Sequence, residues 1–267
     1  VERQAGDDET NKAPSFVGYP ITKVFLQDNR LGFLSRDNVI FSQASDFFNF
    51  WKKSALTLTA GDPVDVSTNN IRPSILYSCL PTTQGLVLFS RLQQFLLTSI
   101  DGPITPFNVK IDTLSNYEVD TSIEPVDVGT NLAFVSKNSG YTKVYGYVTR
   151  GENNNPLALD LSKVASDYIP SSITRMDASP QNDFIVLSDV NSRTMYIYRT
   201  FSDGTKNIIQ AWTKWEMPGE IQMCIVINDT WFVVVKTVNK MCFCIAPIDQ
   251  IESGITIGEE SIFGNPA

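Results

Sequence analysis

"LGFLSRDNVIFS", residues 31–42, sets two short apolar runs around the polar tetrad Ser35-Arg36-Asp37-Asn38. Two apolar runs joined by a tight polar turn read as a β-hairpin. Whether it is one hairpin or one copy of a repeated unit decides the fold. The chain makes the same phrase four more times: "LVLFSRLQQFLLTS" from Leu86, "LAFVSKNSGYTKVYGYV" from Leu132, "FIVLSDVNSRTMYIYR" from Phe184 and "WFVVVKTVNKMCFCI" from Trp231. Subtracting the starting positions gives spacings of 55, 46, 52 and 47 residues, a period near 50. Four of the five first strands carry Ser at the end of the apolar run: Ser35, Ser90, Ser136 and Ser188. It is a repeat.

Further strand signals lie between the hairpins, in "FNVKIDTL" (107–114), "SITRMDAS" (172–179) and "EIQMCIVI" (220–227). About four strands per 50 residues is the make-up of a β-propeller blade, with a spacing close to kelch-type repeats and longer than WD40. A β-sandwich is the rival, but its turns recur every 8–12 residues without a longer period. Helical stretches are confined to a turn or two at 46–51 and 161–169. The fold class expected is all-β, an irregular β-propeller of five or more blades. The propeller region runs over residues 21–248, with room for completion by chain outside this sequence. Residues 1–20, polar and marked by Pro and Gly, form an extended segment leading into it, and 249–267 form a C-terminal tail without assignment. Val1 in place of Met reads as a processed chain or a piece of a longer one.

The 267 residues contain no histidine, 21 Lys and Arg, and 29 Asp and Glu, for a net charge of −8. Ser-His-Asp and Cys-His nucleophile systems and His-ligated zinc are thereby excluded within this chain. No Lys/Arg cluster offers a track for a phosphate backbone, and no glycine-rich phosphate loop leads into a helix. No apolar run is long enough for a membrane span. Cys79, Cys224, Cys242 and Cys244 lack zinc-knuckle spacing and read as buried, reduced thiols, in keeping with assembly in a reducing cytoplasm.

Propellers can host glycosidases, which need two nearby carboxyls and no histidine. The candidates are Asp37, Asp46, Asp101, Asp112, Asp177 and Asp189. Most stand in turn contexts such as "SRDN", "SIDG" and "SDVNS", where an Asp is explained by its bond to the turn backbone. The Ser-x-Asp-x-Gly-x-x-Trp box of sialidase propellers is absent. Catalytic, cofactor-binding and metal-binding residues are therefore each read as none. Phe47, Phe48, Phe50 and Trp51 form an aromatic cluster read as core that staples neighbouring blades, over a sugar platform. In "AWTKW" (211–215), strand alternation sends Trp215 to one face and Trp212 to the other. Asp203-Gly204 supplies the turn that fixes this register. Trp215→Ala is accordingly expected to cost about 3–5 kcal/mol as a core truncation.

Several long stretches taken in order resemble one family. "NKAPSFVGYPITKVFLQDNRLGFLSRDNVIFSQASDFFNFW" (11–51), "DPVDVS" (62–67), "GLVLFS" (85–90), "TPFNVKIDTLSNYEVD" (105–120), "PVDVGTNLAFVSKNSGYTKVYGYV" (125–148), "DYIPSSITRMDASPQNDFIVLS" (167–188) and "YIYRTFSDGTKNIIQAWTKWEM" (196–217) are similar to the tail nozzle proteins of short-tailed bacteriophages, also called tail tubular protein B. The resemblance covers residues 8–237. It implies a structural virion protein with an irregular β-propeller, not an enzyme, and no cofactor. It further implies a six-fold ring at the distal end of the tail through which the genome leaves. The implied partners are other copies of itself, the tail adaptor protein, the tail fibres and passing DNA bound without sequence preference. The implied location is the virion tail, assembled in the host bacterial cytoplasm. A glycan-binding or glycoside-hydrolysing tail propeller is the alternative.

Overall fold

The computed structural model describes residues 2–68, 74–129, 131–138, 140–148, 157–202, 207–228, 230–248 and the strand pieces 256–257 and 260–261. The strands fall into two compact units, residues 1–121 and 122–267. Every sheet is an antiparallel meander in which consecutive strands pair. In the first unit, β1 (Lys23–Gln27), β2 (Arg30–Ser35), β3 (Asn38–Phe41) and β4 (Val64–Ser67) make one sheet. The other contains β5 (Leu76–Thr82), β6 (Gly85–Ser90), β7 (Gln94–Ser99) and β8 (Val109–Ser115). The second unit has three sheets. They are β9 (Val126–Asp127) to β12 (Leu157–Asp160) through β10 (Asn131–Asn138) and β11 (Tyr141–Val148), then β13 (Arg175–Ser179), β14 (Phe184–Ser188), β15 (Thr194–Ser202) and β16 (Asn207–Glu216). The last has β17 (Glu220–Ile227), β18 (Thr230–Lys236) and β19 (Met241–Pro247), with the short β20 (Thr256–Ile257) and β21 (Glu260–Ser261) beyond.

The five hairpins read from sequence are β2–β3, β6–β7, β10–β11, β14–β15 and β18–β19. Each supplies the second and third strands of its sheet, so the repeat marks equivalent places in five copies of one unit. The class is all-β with the blade make-up of an irregular propeller. Residues 46–51 form turns rather than helix, and 163–165 form a single 3-10 turn.

The physical reason the inner strands stand out in the sequence is that they are buried on both faces. β14 ("FIVLS") is buried at every position, and β6 ("GLVLFS") at five of six. A strand covered on both sides reads as a continuous apolar run instead of an alternating one. Within the first unit, Leu34, Val39, Phe41 and Val64 of one sheet meet Leu76, Leu86, Leu88, Phe95 and Leu97 of the other. Within the second, the sheet β13–β16 is covered on both sides. Ile185, Leu187, Tyr196 and Tyr198 face Ala133, Val135 and Val144 of the sheet before. Phe184, Val186, Met195 and Ile197 face Trp231, Val233, Val235, Cys242 and Cys244 of the sheet after. Face-to-face packing of successive meanders is thus the rule inside each unit.

Turn chemistry agrees with the strands. The β1–β2 loop is Asp28-Asn29, both at positive φ (48° and 58°), the two-residue geometry whose twist suits a hairpin. Within the opening stretch, Arg36 takes φ 56°, and its guanidinium carbon sits 4.5 Å from the ring centre of Tyr19. The serines of the repeat share position more than partner. Ser35 donates its hydroxyl to the Pro20 carbonyl, Ser90 to that of Gln93, and Ser136 lies within β10 instead of at its end.

Candidate functional site

Of the six sequence-nominated aspartates, Asp177, Asp189 and Asp112 have partners for their carboxylates, whereas the bonds of Asp37, Asp46 and Asp101 run through the backbone. Asp177 on β13 is the most embedded. Its Oδ2 accepts from the Val226 amide at 2.6 Å and its Oδ1 from the Ala178 amide at 2.9 Å. It therefore straps β13 to β17 of the next sheet. Burial pushes its carboxyl above the ordinary 3.8, with the two amide bonds pulling the other way. Asp189 accepts from the Thr174 hydroxyl at 3.5 Å. Asp112 pairs with Lys110 at 2.8 Å, both side chains more than half exposed. Asp101 accepts from Asn108 through its backbone carbonyl, and Asp37 accepts from the Thr68 amide in the same way. Asp46 sits in the turn that follows Gln43. Among the described residues no group of three or more His, Cys, Asp or Glu side chains could hold a metal ion.

The strongest polar construction lies elsewhere, at Arg30 and Asp62. Arg30 is 2% exposed, and its guanidinium donates to the carbonyls of Ser42 (2.6 Å), Ala60 (2.7 Å) and Asp62 (2.8 Å). Burial lowers its pKa, offset by the nearby charges of Asp28 and Asp62. Asp62 is fully buried and accepts from the Lys53 and Thr59 amides and the Thr59 hydroxyl. Its burial alone would raise the carboxyl, but these donors leave it below the ordinary value. Together they pin the long excursion between β3 and β4. Sequence reading missed this pair, because bonds to backbone carbonyls leave no residue pattern to find.

The aromatic cluster divides. Phe50 stacks on Phe33 at 5.0 Å, and Phe16 meets both rings edge-on at 5.2–5.3 Å. Trp51 lies under the Arg3 guanidinium at 5.4 Å. Phe48, by contrast, is 77% exposed, and Phe47 is over a third exposed. Phe50 thus packs on its own sheet and the N-terminal segment instead of stapling neighbouring sheets, and the Phe48 ring faces solvent. The N-terminal segment thus lies on the outward face of the first sheet. Ser15 donates amide and hydroxyl to Asp65, and Asn11 donates its side-chain amide to the carbonyls of Ala5 and Lys52.

In β16 the alternation is as expected. Trp212 pairs with Tyr198 and Trp215 with Met195 across the strands. Trp212 packs into the seam with the preceding sheet and donates Nε1–H to the Leu161 carbonyl at 2.9 Å. Trp215 packs into the following seam, edge-on to Trp231 at 5.5 Å. Asp203 and Gly204, assigned to the turn, lie outside the described residues. Trp231 is the larger anchor: it is fully buried, and its Nε1–H points at the Cys224 sulfur 3.0 Å away. Burial pushes the Cys224 thiol up to about 12 and that of Cys244 up to about 11. Cys224 and Cys244 flank Val233 on one face of the sheet. Two strand spacings, about 9.5 Å, are too wide for a disulfide. These thiols pack as small hydrophobes.

Antiparallel meanders packed face to face inside each unit define a β-sheet scaffold. The bacteriophage nozzle protein family matches residues 1–261, and the chain belongs to that family. The match runs beyond the 8–237 legible by resemblance. Tail tubular protein gp12 of Escherichia phage T7 is 30% identical over 262 residues, 97% of this chain. The chain spans about a third of that relative's length. Both are structural tail proteins, so this chain is a phage tail component of the virion and not an enzyme. Among solved structures, the Neurospora crassa Pan2 WD40 domain is 12% identical with a TM-score of 0.46, covering 89% of this chain and 65% of that one. A Chaetomium thermophilum Nup82 NTD–Nup159 TAIL–Nup145N APD complex is 10% identical with a TM-score of 0.47, covering 93% and 72%. The fold assignment rests on the strand order, not on these scores.

Proposed function

We propose that this chain contributes the propeller of a tail nozzle, with residues 21–248 as blades and 1–20 as the lead-in segment. Copies form a six-fold ring at the distal end of the tail, below the adaptor, and the genome leaves through it. The observation carrying this reading is the family match over nearly the whole chain. The seams inside each unit support it: meanders joined by apolar packing, with the Asp177 strap between two of them, make a scaffold that can bear lateral contacts with adaptor and fibres. The charge of −8 suits a conduit, because each phosphate–Lys/Arg pair would slow a sliding duplex. The test is to mix the full-length protein with the tail adaptor and measure particle mass and symmetry. Six-fold rings on the adaptor are expected. Monomers that ignore the adaptor would contradict the proposal.

A further inference from the structure

We propose that the outward face of β17–β19 is a further seam, covered in the full-length protein by a further β-meander of the same polypeptide. The inward face of this sheet packs through Cys224, Trp231, Val233, Val235, Cys242 and Cys244. The outward face carries apolar rows of its own. Its register sets Met223, Val234 and Phe243 in one row and Ile225, Phe232 and Ile245 in the next. Phe232 and Phe243 stack at 6.0 Å. Yet Phe243 is 54% exposed, Met241 57%, Ile245 44% and Met223 41%. An antiparallel sheet with one face in water alternates apolar with polar; apolar residues on both faces mark a sheet covered on both. The neighbouring sheet β13–β16 is covered in that way.

The chemistry of the face selects the occupant. Glu220 and Lys236, opposite one another in the register, are the charged residues among its strand positions and cancel, so nothing draws a nucleic acid or an acidic peptide. Flat rows of β-branched and aromatic residues fit another sheet, as in the two seams of this unit. The chain spans 33% of its T7 relative, so a longer protein has residues to supply one. The first sheet is a poorer candidate, since Phe16 and Phe50 already lie on its Phe33 and Ser15 holds its Asp65. The inference rests on packing and chain length, so its failure would leave the proposed place in the tail untouched.

The test replaces Phe243 in the purified full-length protein with the photo-crosslinker p-benzoyl-L-phenylalanine and maps the products by mass spectrometry. Intramolecular crosslinks to a strand segment outside residues 1–267 are expected. Crosslinks at dimer mass, to residues 2–68 or to 249–267, or none at all, each overturn the proposal. As a second arm, Phe243→Asp should lower the melting temperature of the full-length protein by several degrees. Phe48→Asp, at a position 77% exposed, should leave it unchanged. Equal melting temperatures for both variants would also overturn it.

Discussion

Trp231 and Trp215 meet edge-on 5.5 Å apart, yet they do not weigh alike. Trp231 is fully buried against Phe184 and Cys224, whereas Trp215 is only half-buried at the border of the same seam. Trp231→Ala should therefore cost about 3–5 kcal/mol, and Trp215→Ala about 1–3 kcal/mol, below the core value its alternation alone implied. Urea unfolding of both variants checks the order. Period-2 patterning names the face a residue takes but not how far the neighbouring sheet reaches over it. Asp177 gives a second residue-scale expectation. Its folded carboxyl titrates above the ordinary 3.8, so the native state holds more protons than the unfolded chain in that window. Stability contributed by this site therefore falls as pH rises from about 4 through the raised value. Asp177→Asn keeps an oxygen to accept from Val226 and removes that titration. Relative to the parent protein, the variant should gain stability as pH rises through the window and then level off. A difference that does not change with pH would contradict the assignment.

At the scale of the element, the legible strands were the inner pairs, because two covered faces write an unbroken apolar run such as "FIVLS". The outer strands β1, β4, β9 and β12 are short or half-exposed, and their patterns are too brief to separate from loop. The excursion between β3 and β4 was illegible for another reason: Arg30 holds it by backbone carbonyls, whose identity the sequence does not encode. Gly129 shows how tightly elements meet. It turns the chain between β9 and β10 at φ 84°, and a Cβ there would lie 2.3 Å from the Pro180 carbonyl oxygen. Gly129→Ala should cost more than about 1 kcal/mol, since alanine resists positive φ and the oxygen must also move. Thermal denaturation measures it. Gly18→Ala, at a comparable φ of 82° with nothing within 4 Å, isolates the backbone share.

On the scale of the whole molecule, the repeat and the long ordered stretches carried the reading furthest. The repeat made the class legible, and ordered stretches such as "PVDVGTNLAFVSKNSGYTKVYGYV" made the family legible. Ring order and partners left no mark, because they depend on surfaces whose counterparts belong to other molecules. The central claim is that these meanders build the wall of the tail nozzle. A reconstruction of the intact phage tail by electron cryomicroscopy tests it most directly. The account predicts this chain's five meanders in six copies around the DNA channel at the distal end of the tail. Finding them on the fibres, or nowhere in the particle, would contradict it.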